Sequence, residues 1–386
     1  MSFFLVVLVA LTVHPLYTNH EFFQKPNWDH HAYITMAEVG PGNYHIAPYA
    51  WRPLLPTLAW ASPAADQVDF FAITFISLTV SGLLLYQLAL SLSDSRVVAA
   101  ASILGFASIP WTFEFLIWDF WLPDGIQMLF FCSTLWASTT NRIWITPIIA
   151  IAASLNKETG VLIGPLVLFA STFVKQRYGH VKLAAICLGI SIIVLISLRL
   201  VIPSGNSDEV YIQSLSYENQ QIAETIGKYS ILTNLKRFGL EVRLRDLSFQ
   251  AFYSYSIGTF GPLVILAFLV MIKAERRFFW YASLPLSLVY LQIMIAENVE
   301  RLIVAGAPVA TLISVKFFQE IENIVGRNGV IYSILALLLM YLMLLEQNFN
   351  VHDLSSQILI FTLYCSGLIH LFIRKLRTGI RSTGTD

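Results

Sequence analysis

Apolar segments recur from one end of this 386-residue chain to the other, and they constrain it more than any motif does. Runs fall near residues 1–17, 67–91, 96–113, 124–140, 143–155, 159–174, 181–203, 259–273, 278–296, 302–318, 329–345 and 357–373. A helix needs roughly 20 apolar residues to cross the hydrocarbon of a bilayer. The pattern therefore predicts an all-α polytopic membrane protein of about 12 transmembrane helices, with residues 1–386 forming a single membrane-embedded domain. Spans 143–155 and 159–174 are short, and they read equally as one broken or re-entrant pair around Asn156–Thr159. Phe3–Leu16 lacks a cationic n-region and a small-x-small cleavage site, so it reads as the first span and not as a signal peptide.

Charge supports this class. Only 12% of residues are charged, where a soluble domain carries roughly 25%, and the mean hydropathy is +0.66. The net charge is zero, which gives no electrostatic basis for holding nucleic acid. Cys132, Cys187 and Cys365 all sit inside apolar runs without Cys-x-x-Cys or Cys/His spacing, so no disulfide framework is expected.

Lysine and arginine near short loops set the orientation of membrane helices. With the first terminus inside, the inner loops carry Arg96, Arg142, Lys175, Arg177, Lys182, Lys273, Arg276, Arg277, Lys316, Arg327 and Arg374 among others, but only five acids, Asp94, Glu275, Glu320, Glu322 and Asp386. The remaining 19 of the 24 acids fall outside or at outer span ends. Both termini are therefore expected to be cytoplasmic. The outer face then holds a first loop at 18–66, the corner Glu114–Asp124, the turn Asn156–Thr159, a long loop at 204–258 and the corner Glu297–Arg301. Apolar positions Ile222, Ile226, Tyr229, Ile231, Leu232 and Leu235 recur in the long loop at helical spacing, which predicts amphipathic helices on the outer interface.

Charges at span ends are costly to dehydrate and usually face a cavity or one another. Asp29 opens a short helical reading, Asp29–Glu38, with Tyr33 one turn along on the same face. A carboxylate there could take a proton from an acceptor hydroxyl; it could equally cap the helix. His30 and His31 are adjacent and diverge on a helix, so a divalent metal held with Asp29 and His45 is conceivable but lacks a standard ligand spacing. Arg52, set in PYAWRPLLP, is a stiffened guanidinium suited to a phosphate or carboxylate, or to an interfacial belt. In WDFWLPDG, Trp118 and Asp119 are candidates for a sugar site, whereas Asp124 reads as an acid in the first turn of a helix. In NKETG, Lys157 is a candidate for a phosphate and Glu158 for pairing with Arg52 or Arg301. Glu297 and Arg301 stand at i, i+4 in a favourable orientation. Lys228, Lys236, Arg237, Arg243 and Arg245 form a basic cluster in the long outer loop, suited to a lipid-linked phosphate or to anionic headgroups.

An outer first loop with W-D-x-x-x-Y followed by P-Y-x-W-R-P-L-x-P resembles the polytopic GT-C glycosyltransferases. NKETG and ERLIVAGAP (Glu300–Pro308) are similar to features of their bacterial members, relatives of the protein O-mannosyltransferases and aminoarabinose transferases. The resemblance implies a multi-pass enzyme of the plasma (inner) membrane in which Asp29 is the catalytic base. It implies a polyprenyl-phosphate sugar as donor and a lipid or glycan hydroxyl as acceptor, with Tyr33, Arg52, Trp118, Asp119, Lys157, Glu158, Glu297 and Arg301 as candidate substrate-binding residues. Relatives often carry a second acid in the first loop or at a later corner, a place that Glu38 or Asp119 would have to fill. A polysaccharide polymerase or ligase, which leans on outer arginines, is a second expectation. A transporter or flippase is a third, although such proteins favour mid-membrane charge and an inverted repeat that this sequence lacks.

Overall fold

A computed structural model describes residues 28–62, 66–107, 119–140, 142–174, 178–227, 263–291 and 299–335, with single positions 109, 112, 115, 256, 259 and 260. The expected spans at 1–17 and 357–373, the basic cluster from Lys228 to Arg245, Trp118 and Glu297 lie outside the described residues. The described chain is helical, with no strands.

The first loop holds α1 (Asp29–Val39) and α2 (Leu54–Trp60). Then come α3 (Asp66–Ser93), α4 (Arg96–Ala107), α5 (Asp124–Thr139), α6 (Thr146–Asn156), α7 (Ile163–Ala170) and α8 (Tyr178–Val201). The short α9 (Glu209–Gln213) and α10 (Tyr217–Ile226) follow, and α11 (Leu263–Lys273), α12 (Arg276–Leu291), α13 (Val299–Ile303) and α14 (Ala307–Val325) complete the set. The turn between α3 and α4 is local chemistry. Asp94 takes a positive φ of 52°, a conformation a short polar side chain tolerates. The Ser95 hydroxyl accepts from the Val98 amide at 3.4 Å to start α4.

Three helices are long and apolar enough to cross a membrane by length and composition: Val68–Ser93, Gly179–Val201 and Arg301–Val325. Shorter apolar helices cover Arg96–Ala107, Ile143–Asn156 and Glu158–Phe173. α8 leaves Val181, Ile186, Ile192, Ile193, Ile196 and Leu200 exposed on a helix of mean hydropathy 2.6. An apolar face of that extent suits lipid better than water. The helix Arg301–Val325 is the opposite case, with 78% of its apolar window buried against α3, α4 and α11.

Small residues set the close approaches. A Cβ on Gly164 would meet the Ala184 carbonyl oxygen at 2.7 Å, so α7 lies directly on α8. Gly160 is tighter still, since its Cβ would fall 2.6 Å from the Ser154 amide nitrogen. The 3₁₀ turn Glu158–Leu162 is thereby folded back onto α6, and Ser191 in α8 donates to the Gly160 carbonyl at 3.1 Å.

These contacts decide depth. Ser191 lies ten residues below Val201, where α8 ends beside the first loop, and ten residues of helix rise about 15 Å. On α3, Thr74 donates to the Phe120 carbonyl at 2.8 Å and packs on Gly125, eight residues or about 12 Å from the start of that helix. The turns at 119–124 and 156–160 are thus recessed below the ends of their long neighbours. α6 and α7 are short because their junction stops part-way along α8. At the far end Ser95 donates to Glu322 at 3.0 Å and Gln319 to the Leu92 carbonyl at 2.9 Å, which puts Arg301 and Glu322 at opposite ends of one buried helix.

The described part of the long loop, 204–227, sits on the first loop. Asn206 holds both the amide and the carbonyl of Ala47, at 2.7 and 2.9 Å, and Tyr44 donates to Asn219 at 2.8 Å. α10 buries Asn219, Ile222 and Ala223, so its amphipathic face covers protein.

Gly160→Ala should destabilise the fold by about 1–3 kcal/mol through overpacking against fixed backbone, whereas Gly42→Ala, with open space around its Cβ, should be near neutral. Denaturant titration of the two variants in detergent measures the difference.

Candidate functional site

Asp29 is the first residue of α1, after the extended Trp28, which stands at the capping position. The Asp29 side chain turns toward two partners. The Tyr49 hydroxyl donates to Oδ1 at 2.5 Å, and Arg301 Nη1 donates to Oδ2 at 2.7 Å. The 3₁₀ turn Tyr49–Trp51, between Pro48 and Pro53, aims Tyr49 at the carboxylate. It also carries Arg52 past Asp29, where Nε donates to Glu158 at 2.9 Å and Nη1 to the Tyr33 hydroxyl at 3.1 Å. The Tyr33 and Tyr49 rings meet edge to face with centroids 5.4 Å apart, which ties α1 to the turn. Trp51 anchors the turn by donating to the Ile202 carbonyl at 3.0 Å.

The other half of the site is built on Asp124. Its Oδ1 accepts from Lys157 and its Oδ2 from Arg301 Nε at 3.0 Å. Asn156 donates to the Pro123 carbonyl at 2.7 Å, fixing the Lys157 turn against the start of α5. Lys157, Asp124, Arg301 and Asp29 therefore form one continuous chain of ion pairs, with Arg52–Glu158 beside it. Exposure rises along the chain: side chains of Lys157 and Asp124 are 3% and 7% exposed, Arg301 11%, and Asp29 32%. A small cavity behind Asp124 and Lys157 is lined by Gln127, Met128, Phe131 and Thr159.

Electrostatics separate the acids. Burial pushes the Asp29 carboxyl up, but Arg301, the Tyr49 hydroxyl and Arg52 outweigh it and hold it below the usual carboxylate range. Asp29 is thus an anion at any physiological pH. Burial dominates at Asp119, and with Asp29 and Asp124 as nearby charges its carboxyl rises to about 6 despite Arg301 and a hydrogen bond from Trp28. Burial also pushes the Tyr33 hydroxyl up to about 12, keeping it neutral. Two acids of different proton affinity thus share one recess.

Of the residues singled out in the sequence, Asp29, Tyr33, Arg52, Asp119, Lys157, Glu158 and Arg301 are brought to this recess from five separate segments. Glu158 pairs with Arg52, and Arg301 turns to Asp29 and Asp124. His45 is directed elsewhere, its ring 5.4 Å from that of Tyr211. The His30 and His31 rings meet at a tilt with centroids 4.0 Å apart, and among the described residues no group of three or more His, Cys, Asp or Glu side chains is placed to hold a metal ion. Sequence reasoning passed over Asp124, reading it as a helix-start acid; its place at the head of an apolar helix was the available signal, since a charge there needs a partner. Tyr49 was noted only as a neighbour of Arg52. Comparison with protein-family models, curated proteins and solved structures finds no match to this chain.

Asp124→Asn should destabilise the protein by about 3–5 kcal/mol, because it strands a buried lysine and half-strands a buried arginine. Asp124→Leu/Lys157→Met should recover much of that loss, as a double-mutant cycle in detergent would read. A second expectation concerns pH. Because folding raises the Asp119 pKa from 3.8 to about 6, the folded state binds that proton more tightly than the unfolded chain. Its cost to stability is absent below pH 3.8, grows between 3.8 and 6 and is complete above 6. Asp119→Asn should therefore stabilise the protein at pH 7.5 and leave it nearly unchanged at pH 3.

Proposed function

We propose that this chain is a multi-pass glycosyltransferase of the plasma (inner) membrane. It moves a sugar from a polyprenyl-phosphate donor to a hydroxyl of a lipid or glycan acceptor, with Asp29 as the base. In this reading the chain has about 12 spans with cytoplasmic termini, and the recess opens on the outer face. The observation that carries the proposal is the partly exposed carboxylate of Asp29, deprotonated and flanked by two guanidiniums, Arg52 and Arg301, at the rim of a recess among apolar helices.

The chemistry needs little more. As the bond between the anomeric carbon and the phosphate oxygen breaks through an oxocarbenium-like state, the acceptor oxygen attacks that carbon and its proton passes to Asp29. The phosphate leaves as an anion and needs positive charge in place of a general acid. Arg301 and Arg52 are the cations near enough to the open side to supply it, and the sugar's configuration inverts in a single displacement. Lys157, 3% exposed behind Asp124, supports the arginine and does not touch the substrate. Tyr49 orients the base through its 2.5 Å hydrogen bond.

Asp29→Asn, which keeps the shape and one of the two accepting oxygens, should lower sugar transfer from a polyprenyl-phosphate donor by about 10²–10⁴-fold in a folded protein. Transfer at the wild-type rate in that variant would remove Asp29 from the reaction and the proposal with it.

A further inference from the structure

On the transferase reading just given, we infer that Arg301 is an exchangeable arm whose outer nitrogen leaves Asp29 for the phosphate of the incoming lipid, so that donor binding unmasks the base.

The geometry of the guanidinium supports a hinge. Nε is held by Asp124 at 3.0 Å, and that carboxylate is 7% exposed and pinned from its other oxygen by Lys157. Nη1 is held by Asp29 at 2.7 Å, and that carboxylate is 32% exposed. One end of a planar fork is thus anchored in a buried ion pair, and the other rests on the partner that ligand and solvent can reach. Arg52 is built differently. Its Nη1 rests on the hydroxyl of Tyr33, and the carboxylate that holds its Nε, Glu158, is 28% exposed, against 7% for the Asp124 that holds Arg301.

Charge points the same way. Among the described residues the recess holds Arg52, Lys157 and Arg301 against Asp29, Asp124, Glu158 and Asp119, so these groups offer no surplus of positive charge to an anion. A phosphate that engages one of these cations takes it from a carboxylate already present. Asp29 is the carboxylate whose release has a use. Paired with Arg301 it is a stable anion and a weak base; once the arm has moved, its affinity for a proton rises as the acceptor hydroxyl arrives. Phosphate and carboxylate present similar paired oxygens to a guanidinium, so the exchange keeps the charge-assisted bond in kind.

The exchange is tested by binding, separately from transfer. Full-length protein in detergent would be titrated with a polyprenyl monophosphate, with inorganic phosphate and with phosphatidic acid, for the wild type, Asp29→Asn, Asp29→Ala and Arg301→Gln. Removing the competing carboxylate should tighten binding by about tenfold in both Asp29 variants, and removing the arm should weaken it by about tenfold or more. The probe that responds identifies the source: a polyprenyl chain, any lipid monoester or a free anion. Binding that is unchanged or weaker in both folded Asp29 variants, or no binding of any probe by the wild type, overturns the inference. Lost transfer in Asp29→Asn with unchanged binding leaves the transferase reading standing and removes the exchange. Tighter binding with no transfer by the wild type does the reverse.

Discussion

The chain of ion pairs that ends on Asp29 follows from the cost of burying Lys157. An ammonium 3% exposed among apolar helices needs an adjacent carboxylate, or it gives up its proton. Asp124 provides that carboxylate, but it is buried as well and has a second oxygen to satisfy. Arg301 satisfies it and arrives with donors to spare, and these reach Asp29. The charges are thus linked in series from the buried end to the open one, each link compelled by the one beneath it. What emerges at the open end is a carboxylate with a set orientation, held as an anion.

The helices make this arrangement sheltered. α6 and α7 are too short to span a bilayer, and the Gly160 turn between them is pulled onto α6 and α8 by contacts that leave no room for a Cβ. Their junction lies well below the Val201 end of α8, and the head of α5 lies below the start of α3. Long apolar helices therefore wall a polar floor. The first loop and residues 204–227 cover it through Asn206, Tyr44 and Asn219. At the buried end, where Lys157 and Asp124 are 3% and 7% exposed, fixed charges act more strongly than they would at a surface.

Much of the candidate site was legible because charge is scarce in this chain. With 12% charged residues, each acid or base flanked by apolar sequence stands out, and the membrane argument demands a partner for it. That logic picked out Asp29, Arg52, Lys157, Glu158 and Arg301. It stopped short at Asp124, where a good local explanation, an acid in a helical first turn, concealed a long-range one. Arg301 shows the same limit, since its carboxylate partners Asp124 and Asp29 lie 177 and 272 residues away, beyond the reach of any local rule. Local rules rank near neighbours, whereas dehydration selects whichever opposite charge the packing brings closest. In the long loop the same selection shows at Ile222, an apolar position that α10 buries, while Tyr229, Ile231, Leu232 and Leu235 lie outside the described residues.

The sequence alone determined the helical class, the apolar character of the long segments and the polar stretches at which they break, because hydrophobic content and local propensity act residue by residue. Only the tertiary structure decided which cation meets which carboxylate, how deep the 156–160 turn lies and which face of each short helix is covered. Those outcomes depend on close approach between segments as distant as Asp29 and Arg301, and no local pattern encodes a separation of 272 residues.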